Sequence, residues 1–325
     1  MALYGQGKTR GKVGILGIEA ATNQACAAIS LHYGVSREFI FYLLASQYDT
    51  IRNLSNTGNQ ENLNGSLVRS ISILLPPEAE QRAVATALND VDALLGSLER
   101  LIAKKRDLKQ ASMQQLLTGQ TRLPGFHGDW EVKRLGDCLV SRPDYGINAA
   151  AVPFSDKLPS YIRITDISEQ GRFCPDPRVS VQAAGAAQYY LQKGDVVFAR
   201  TGASVGKSYL YEPSDGPLVF AGFLIRVHPD PSVLVPAFLA AYATTQPYWS
   251  WVRLMSMRSG QPGINGKEYA QLPLSLPPLP EQTAIAAVLI DMDAELAALE
   301  QRLAKTRILK QGMMQELLTG RTRLL

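Results

Sequence analysis

Apolar residues recur in alternating steps of three and four along two stretches of the chain. In the first, Val84, Ala87, Val91, Leu94, Leu98 and Leu101 form a heptad seam. In the second, Ile285, Val288, Met292, Leu296, Leu299 and Leu303 follow a step that drifts between heptad and free-helix spacing. Proline and acidic residues precede each stretch, where a missing N–H and negative charge suit a helix start. Leu-Leu-Thr-Gly closes each one, with Gly119 and Gly320 as stops. The spacing predicts two long helices, the first an unbroken rod on the order of 55 Å long from Glu80 to Leu117.

The two stretches are copies of one another. Pro76–Leu123 and Pro277–Leu324 align without a gap at a constant offset of 201, and 28 of 48 positions are identical, which chance does not produce. A single apolar stripe reads as ordinary core packing. Two matched stripes, each too long and narrow for its own small domain, are most simply buried against one another. An antiparallel intramolecular coiled coil is therefore predicted, with helices bound only to other subunits as the rival arrangement.

Between the helices the pattern shortens to strand length. Asp195–Arg200 and Ser208–Tyr211 are β-rich runs joined by the Gly-containing loop Thr201–Lys207. Arg37–Tyr48 and Pro236–Thr244 read as matching short helices, which makes the globular parts mixed α/β (α+β). The duplication reaches into them. Ile264-Asn265-Gly266 echoes Leu63-Asn64-Gly65, each upstream of an apolar run ending in Pro-Pro, and Gly202-x-x-x-Gly206-Lys207 echoes Gly7-x-x-x-Gly11-Lys12 at an offset of 195. The expected organisation is a globular part over 1–75, a long helix over 76–123, a second globular part over 124–276 and a second long helix over 277–325. The first part has no counterpart of Phe126–Asp195, about 70 residues, so an N-terminal truncation is expected.

Composition narrows the class. Over 325 residues, 46% hydrophobic and 19% charged content is globular and carries no disorder signature. The net charge of +4 permits an anionic partner without demanding one. Cys26, Cys138 and Cys174 have neither the number for a disulfide framework nor C-x-x-C spacing, and His32, His127 and His228 are isolated, so no metal site is expected. The apolar runs, such as Phe39–Ala45, are too short to span a membrane, and the N-terminus has no signal pattern. A soluble, reduced, cytoplasmic protein is expected.

No catalytic constellation emerges. Gly7-Lys8-Thr9 and Gly206-Lys207-Ser208 resemble the end of a phosphate-binding loop, but Ala2 and Thr201 stand where its first glycine is required, and β-type residues follow instead of a helix. The Asn/Asp-Pro-Pro-aromatic tetrapeptide that holds a flipped adenine is absent. Asp144, Asp156 and Asp176 have no metal-gathering spacing and read as solvated loop acids.

Polar loops remain as candidate contacts. Gln6, Lys8, Arg10 and Lys12 sit among Gly5, Gly7 and Gly11, where glycine lets backbone approach a phosphate. Arg200, Thr201, Ser204 and Lys207 repeat that chemistry. A second pair of clusters holds Asn56, Asn59 and Gln60, running to Asn64, and Arg258, Ser259 and Gln261, running to Asn265. Arg, Asn and Gln can read base edges, while Lys and backbone N–H groups hold phosphates. Gly and Asn are also ordinary residues of solvated turns. Their duplication on a duplicated scaffold favours DNA contact.

Pro-Pro-x-x-Glu-Gln, the heptad-like helix, and Lys-x-x-x-Met-Gln-x-Leu-Leu-Thr-Gly-x-Thr-Arg-Leu resemble the helical region of type I restriction–modification specificity subunits. Leu123-Pro-Gly-Phe126-x-Gly-x-Trp130 resembles the junction that opens the second target-recognition domain of that family. Gly5-Gln-Gly-Lys-Thr-Arg-Gly-Lys12 and Phe198-Ala-Arg-Thr-Gly202 look like its recognition loops. The resemblance covers essentially the whole chain. It implies two target-recognition domains, the first incomplete, separated by two long helices that act as a ruler between the halves of a bipartite target in double-stranded DNA. It also implies docking of two adenine methyltransferase subunits and of restriction/translocase subunits. S-adenosylmethionine, ATP and Mg would belong to those partners, leaving this chain without cofactor or active site. Two other readings stand beside it: a helical assembly adaptor that binds protein rather than DNA, and a separately expressed recognition arm of a fused restriction–methylation enzyme.

Overall fold

The computed structural model describes residues 1–5, 8–54, 62–257 and 260–324. The chain divides into two units, one comprising Met1–Lys104 with Leu296–Leu325, the other Lys105–Glu295. Each unit thus takes the first part of one long helix and the last part of the other.

Unit 1 contains α1 (Arg37–Ser46), α2 (Tyr48–Asn53), α3 (Gly65–Arg69) and the start of α4 (Glu78–Leu116). Ser36 caps α1 by accepting from the Phe39 amide, and Asn64 caps α3 by accepting from Leu67, each satisfying an amide that the helix cannot. Phe39, Leu43, Ile51 and Leu63 build a core with Val84 and Leu88 of α4 and with Leu317 and Leu318, where the second long helix, α8 (Leu279–Leu317), ends.

Unit 2 holds the sheets. In chain order, β1 is Glu131–Arg134, β2 Asp144–Tyr145, β3 Ala151–Pro153, β4 Ser160–Ile162, β5 Val179–Val181, β6 Val196–Ala199, β7 Ser208–Leu210, β8 Leu218–Phe220 and β9 Leu224–Val227. Then come α5 (Pro236–Tyr242), α6 (Gln246–Ser256), α7 (Gly266–Tyr269), β10 (Pro273–Leu276) and the start of α8. One sheet runs β2-β9-β6-β7, antiparallel throughout. A second runs β3-β5-β4-β8, with β4 and β8 parallel, and β1 pairs with β10. The unbroken apolar run Val196-Val-Phe-Ala199 is fully buried because β6 is a central strand covered on both faces. The expected strand–loop–strand at Asp195–Tyr211 is β6 and β7, and the matched short helices are α1 and α5.

The long helices pair antiparallel in each unit. In unit 1, Lys310 meets Asp92 at 2.6 Å, Arg307 meets Glu99 at 2.7 Å and Arg323 meets Glu80 at 2.5 Å. In unit 2, Lys109 meets Asp293 at 2.6 Å, Lys105 meets Glu295 at 2.7 Å and Arg122 meets Glu281 at 2.5 Å. The intramolecular pairing expected from the repeat is present. Its seam differs in register from the predicted one. Val84, Leu98, Ile285 and Leu296 are buried as expected, but Leu94, Leu101 and Val288 lie exposed on the flank, while Leu88, Ile102 and Leu289 turn inward. The stripe offered adjacent apolar pairs (Ala87-Leu88, Leu94-Leu95, Leu101-Ile102), and the partner helix selects the second of each.

A duplicated glutamine ties each helix start to its globular part. Gln81 donates to the Pro76 carbonyl at 2.8 Å and accepts from the Ser36 amide at 2.8 Å. Gln282 donates to the Pro277 carbonyl at 2.9 Å and accepts from the Val235 amide at 2.9 Å. Ser36 and Val235 precede α1 and α5, so one side chain fixes the first turns of two helices in both places. At the far ends, Gly119 and Gly320 have φ of +70° and +72°, the left-handed stop that the sequence predicts.

Candidate nucleic-acid interface

The candidate residues of unit 2 lie on the turn between β6 and β7 and on the segment that leads from α6 to α7. The structure joins these two segments. Thr201 bridges to Gly263, the Gly202 amide donates to the Pro262 carbonyl at 3.0 Å, and the Ile264 amide donates to the Arg200 carbonyl at 2.9 Å. Gln261 Nε2 comes within 3.1 Å of the point where a side chain on Gly202 would begin. Arg200 and Thr201, predicted in one cluster, and Gln261, predicted in another, therefore stand on one continuous surface.

Aromatic groups orient the arginine. The Arg200 guanidinium lies over the Tyr145 ring, 4.8 Å from its centroid, and donates to the Gly222 carbonyl at 3.3 Å. Tyr145 in turn accepts from the Gly266 amide at 2.9 Å, which fixes the start of α7. The Arg200 amide donates to the Phe223 carbonyl at 3.0 Å, and the Phe223 ring is 59% exposed beside it. Sequence reasoning missed Tyr145 and Phe223. Each adjoins a glycine, Gly146 at the end of β2 and Gly222 in the turn before β9, and an aromatic beside a glycine is the signal that could have found them.

Lys207 Nζ lies 2.7 Å from the exposed carboxylate of Glu169, so its charge is partly spent within the protein. Ser204 is half-buried, and its carbonyl accepts from the Lys207 amide at 3.0 Å. Gly206, with φ of +91°, is required by packing rather than by an anion: a Cβ there would stand 2.7 Å from Val252 Cγ1. A strand follows the loop, so the geometry is not that of a nucleotide-binding loop.

In unit 1, Ala2 and Lys12 close a turn through a 2.8 Å bond from the Ala2 amide to the Lys12 carbonyl. Lys8 and Lys12 project exposed from it, and the Lys8 carbonyl accepts from the Tyr48 hydroxyl at 2.9 Å. Arg10 is only 3% exposed, so in this conformation its guanidinium faces the protein rather than solvent. Gln6, Asn56, Asn59, Gln60, Arg258 and Ser259 lie outside the described residues. Asn64 and Asn265, the ends of the second clusters, use their side chains as helix caps, Asn265 accepting from Glu268 at 3.0 Å.

Asp144 is not the solvated loop acid that its sequence context suggests. It belongs to β2 and takes two bonds from Arg226, at 3.1 and 2.7 Å, because β2 and β9 are neighbours. Burial of Arg226 opposes its charge, but the hydrogen bond to Asp144 and the charges of Asp144 and Asp195 outweigh it and raise its pKa. Among the described residues, no group of three or more His, Cys, Asp or Glu side chains is placed to hold a metal, and no helix is long and apolar enough to cross a membrane.

The family model of the type I restriction modification DNA specificity domain matches residues 2–105 and 127–306. The chain belongs to this family. Among curated specificity-domain relatives, the type I restriction enzyme StySPI specificity subunit of Salmonella potsdam is 24% identical over 315 residues, covering 90% of this chain and 66% of that protein. The MjaVIII specificity subunit of Methanocaldococcus jannaschii is 21% identical over 303 residues, covering 88% of this chain and 70% of that one. The chain thus spans somewhat less than two thirds of the Salmonella subunit. The crystal structure of the type I restriction-modification S subunit from M. genitalium superposes with a TM-score of 0.56 at 16% identity, over 88% of this chain and 73% of the other. A structure from work on complex assembly and conformational transition of the type I R-M system gives 0.51 at 23%, over 86% and 70%. At these identities the likeness concerns the fold, and the mixed α/β specificity-domain architecture with paired long helices agrees with it.

Proposed function

We propose that this chain is the DNA sequence-specificity subunit of a type I restriction–modification complex. In this role it reads a bipartite target in double-stranded DNA, scaffolds two methyltransferase subunits together with restriction/translocase subunits, and catalyses nothing itself. The observation that carries the proposal is the duplicated antiparallel helix pair, locked by the matched ion pairs Lys310–Asp92 and Lys109–Asp293. Two equivalent helix starts, each anchored to its own globular part by Gln81 or Gln282, offer equivalent docking surfaces.

DNA reading is assigned to the Arg200–Gln261 surface, with Phe223 beside it, and to the lysines of the unit 1 turn. Arg200 held flat by Tyr145 presents its free edge for bidentate pairing, whereas the lysines supply phosphate contacts. Chemistry on the target base, and S-adenosylmethionine, ATP and Mg with it, is assigned to partner subunits in the cytoplasm.

The test is the native mass of this chain co-expressed with its cognate methyltransferase subunit, followed by DNA binding across a salt series. Two methyltransferases per chain, with affinity falling steeply as salt rises, is the expected result. A complex that forms while DNA affinity is absent at low salt would make the chain a protein-assembly adaptor instead.

A further inference from the structure

Alternation along β6 and β9 carries one phenylalanine out of the core. Phe198 pairs with Ile225 and Ala199 with Leu224. The next pair on that register is Arg200 with Phe223, joined by the bond from the Arg200 amide to the Phe223 carbonyl. Residues two apart on a strand share a face, so Arg200 and Phe223 continue the face of Phe198 and Ile225. Those two are wholly buried in the core of unit 2. Phe223 stands in solvent at the rim, on a turn that the Leu224 amide closes by donating to the Ala221 carbonyl at 2.8 Å. Gly146 fixes the place of this turn, because a Cβ there would collide with the carbonyls of Phe220 and Ala221. The exposed ring is therefore held on a rigid edge, where packing gives it no role.

The arginine opposite it is held on one side only. Tyr145, which pairs with Ile225 across β2 and β9, lies under the guanidinium, and Nη1 donates to the Gly222 carbonyl. Among the described residues, Nε and Nη2 have no hydrogen-bond partner, and neither is closed off from solvent. A planar fork of two donors is left open. Side chains directly opposite on antiparallel strands stand about 5 Å apart at Cβ, so the fork and the phenyl ring face outward side by side. A phosphate would match the fork and gain nothing from the ring. Base edges match both: guanine offers O6 and N7 to an arginine fork, and thymine offers a methyl group to an apolar ring. Stacked bases lie about 3.4 Å apart, within reach of two neighbouring side chains.

We propose that the DNA read by unit 2 contains a guanine with a thymine in the adjoining base pair. Arg200 pairs through Nε and Nη2 with guanine O6 and N7 in the major groove, and Phe223 packs on the thymine methyl. This rests on the DNA reading assigned above to the same surface and adds which bases it selects. Both readers hang on one turn, since Arg200 is bonded to the carbonyls of Gly222 and Phe223. The two bases are therefore selected together, as a step, by side chains whose places are set before DNA arrives.

The experiment uses the full chain, co-expressed with its methyltransferase subunit, and duplexes selected by it from a randomised pool. The selected duplexes should share a guanine beside a thymine. At that guanine, 7-deazaguanine, which lacks the N7 acceptor, should weaken binding to the parent protein at least fivefold and binding to Arg200→Ala not at all. Arg200→Lys, which keeps the charge and loses the fork, should behave as Arg200→Ala does. At the thymine, uracil, which lacks only the methyl group, should weaken binding to the parent roughly threefold and binding to Phe223→Ala not at all. Phe223→Leu should keep the sensitivity to uracil. Selected duplexes without a guanine beside a thymine overturn the proposal. So does a loss in Phe223→Ala that is equal for thymine and uracil, which would make the ring a wedge between bases. A 7-deazaguanine duplex bound as well as its parent, with a reduced salt slope in Arg200→Ala, puts the guanidinium on a phosphate and also overturns it. In these three outcomes salt-dependent DNA binding persists, so DNA reading itself stands. Absence of binding to any duplex at low salt removes DNA reading, and the proposal with it.

Discussion

Lys310 donates to both carboxylate oxygens of Asp92, at 2.6 and 2.8 Å, and its ammonium lies 5.2 Å from the centre of the Tyr42 ring. The Tyr42 hydroxyl stands 2.7 Å from the same carboxylate, and burial together with that acidic neighbour pushes its pKa upward, so it remains a donor. A single contact therefore joins both long helices to α1. At the offset of 201, Lys109 and Asp293 repeat the inter-helix half of it.

Lys310→Met should destabilise the protein by about 1 kcal/mol, since the pair is half-buried and Asp92 keeps the Tyr42 hydroxyl. Combining Lys310→Asp with Asp92→Lys should recover part of that loss. Urea denaturation midpoints with unchanged m-values provide the check. A swap no better than the single change would mean that packing of the lysine stem, rather than charge, holds the contact.

The Glu80 carboxyl sits below its ordinary value of 4.5, chiefly because it accepts from Arg323, and against an opposing effect of burial. A carboxyl lowered in the folded state stabilises the fold above its unfolded pKa. That contribution fades as pH falls from about 4.5 down through the lowered native value. Glu80→Gln should lose stability at neutral pH and show a shallower acid limb below pH 4.5. An acid limb identical to that of the parent protein would contradict the assignment.

Gly206→Ala should cost roughly 1–3 kcal/mol through overpacking against Val252, with the left-handed backbone adding to it. Gly260→Ala serves as the control, because nothing lies within 4 Å of its Cβ position. Thermal unfolding of the two variants, side by side, separates packing from a general effect of glycine replacement.

Lys207→Ala should reduce the slope of log affinity for DNA against log salt by about 0.9 if Lys207 meets one phosphate. Glu169→Gln should act in the opposite direction, since it releases the ammonium from a 2.7 Å ion pair. If neither change moves the slope in folded variants, the loop before β7 is not on the DNA.

The helices and their pairing were legible because a gapless repeat of 48 residues with a long, narrow apolar stripe in each copy has few physical explanations. The seam was legible only in part. Val84 and Leu98 fit any register, whereas the choice between Leu94 and Leu95, or Leu101 and Ile102, rests on a partner helix nearly two hundred residues away. At the candidate interface, local chemistry was visible and its assembly was not. Nothing local announces that Thr201 bridges to Gly263, that Arg200 rests on Tyr145, or that Glu169 reaches Lys207. Arg10 shows the converse: a basic residue in a Gly-rich run looks exposed by composition, yet the turn folds it inward.

The pairing of β1 with β10 has a consequence for how such a protein diversifies. These neighbouring strands are the entrance and exit of everything from Leu135 to Leu272, so the two ends of that insertion sit side by side. Replacing the insertion wholesale keeps the ion pairs between the long helices, such as Lys109–Asp293, but removes Val235 from Gln282 and the core packed on Ile285 and Leu289, so a replacement has to supply both again. On the proposed function, exchange of the whole insertion would change what is read while the pairing of the two long helices is conserved.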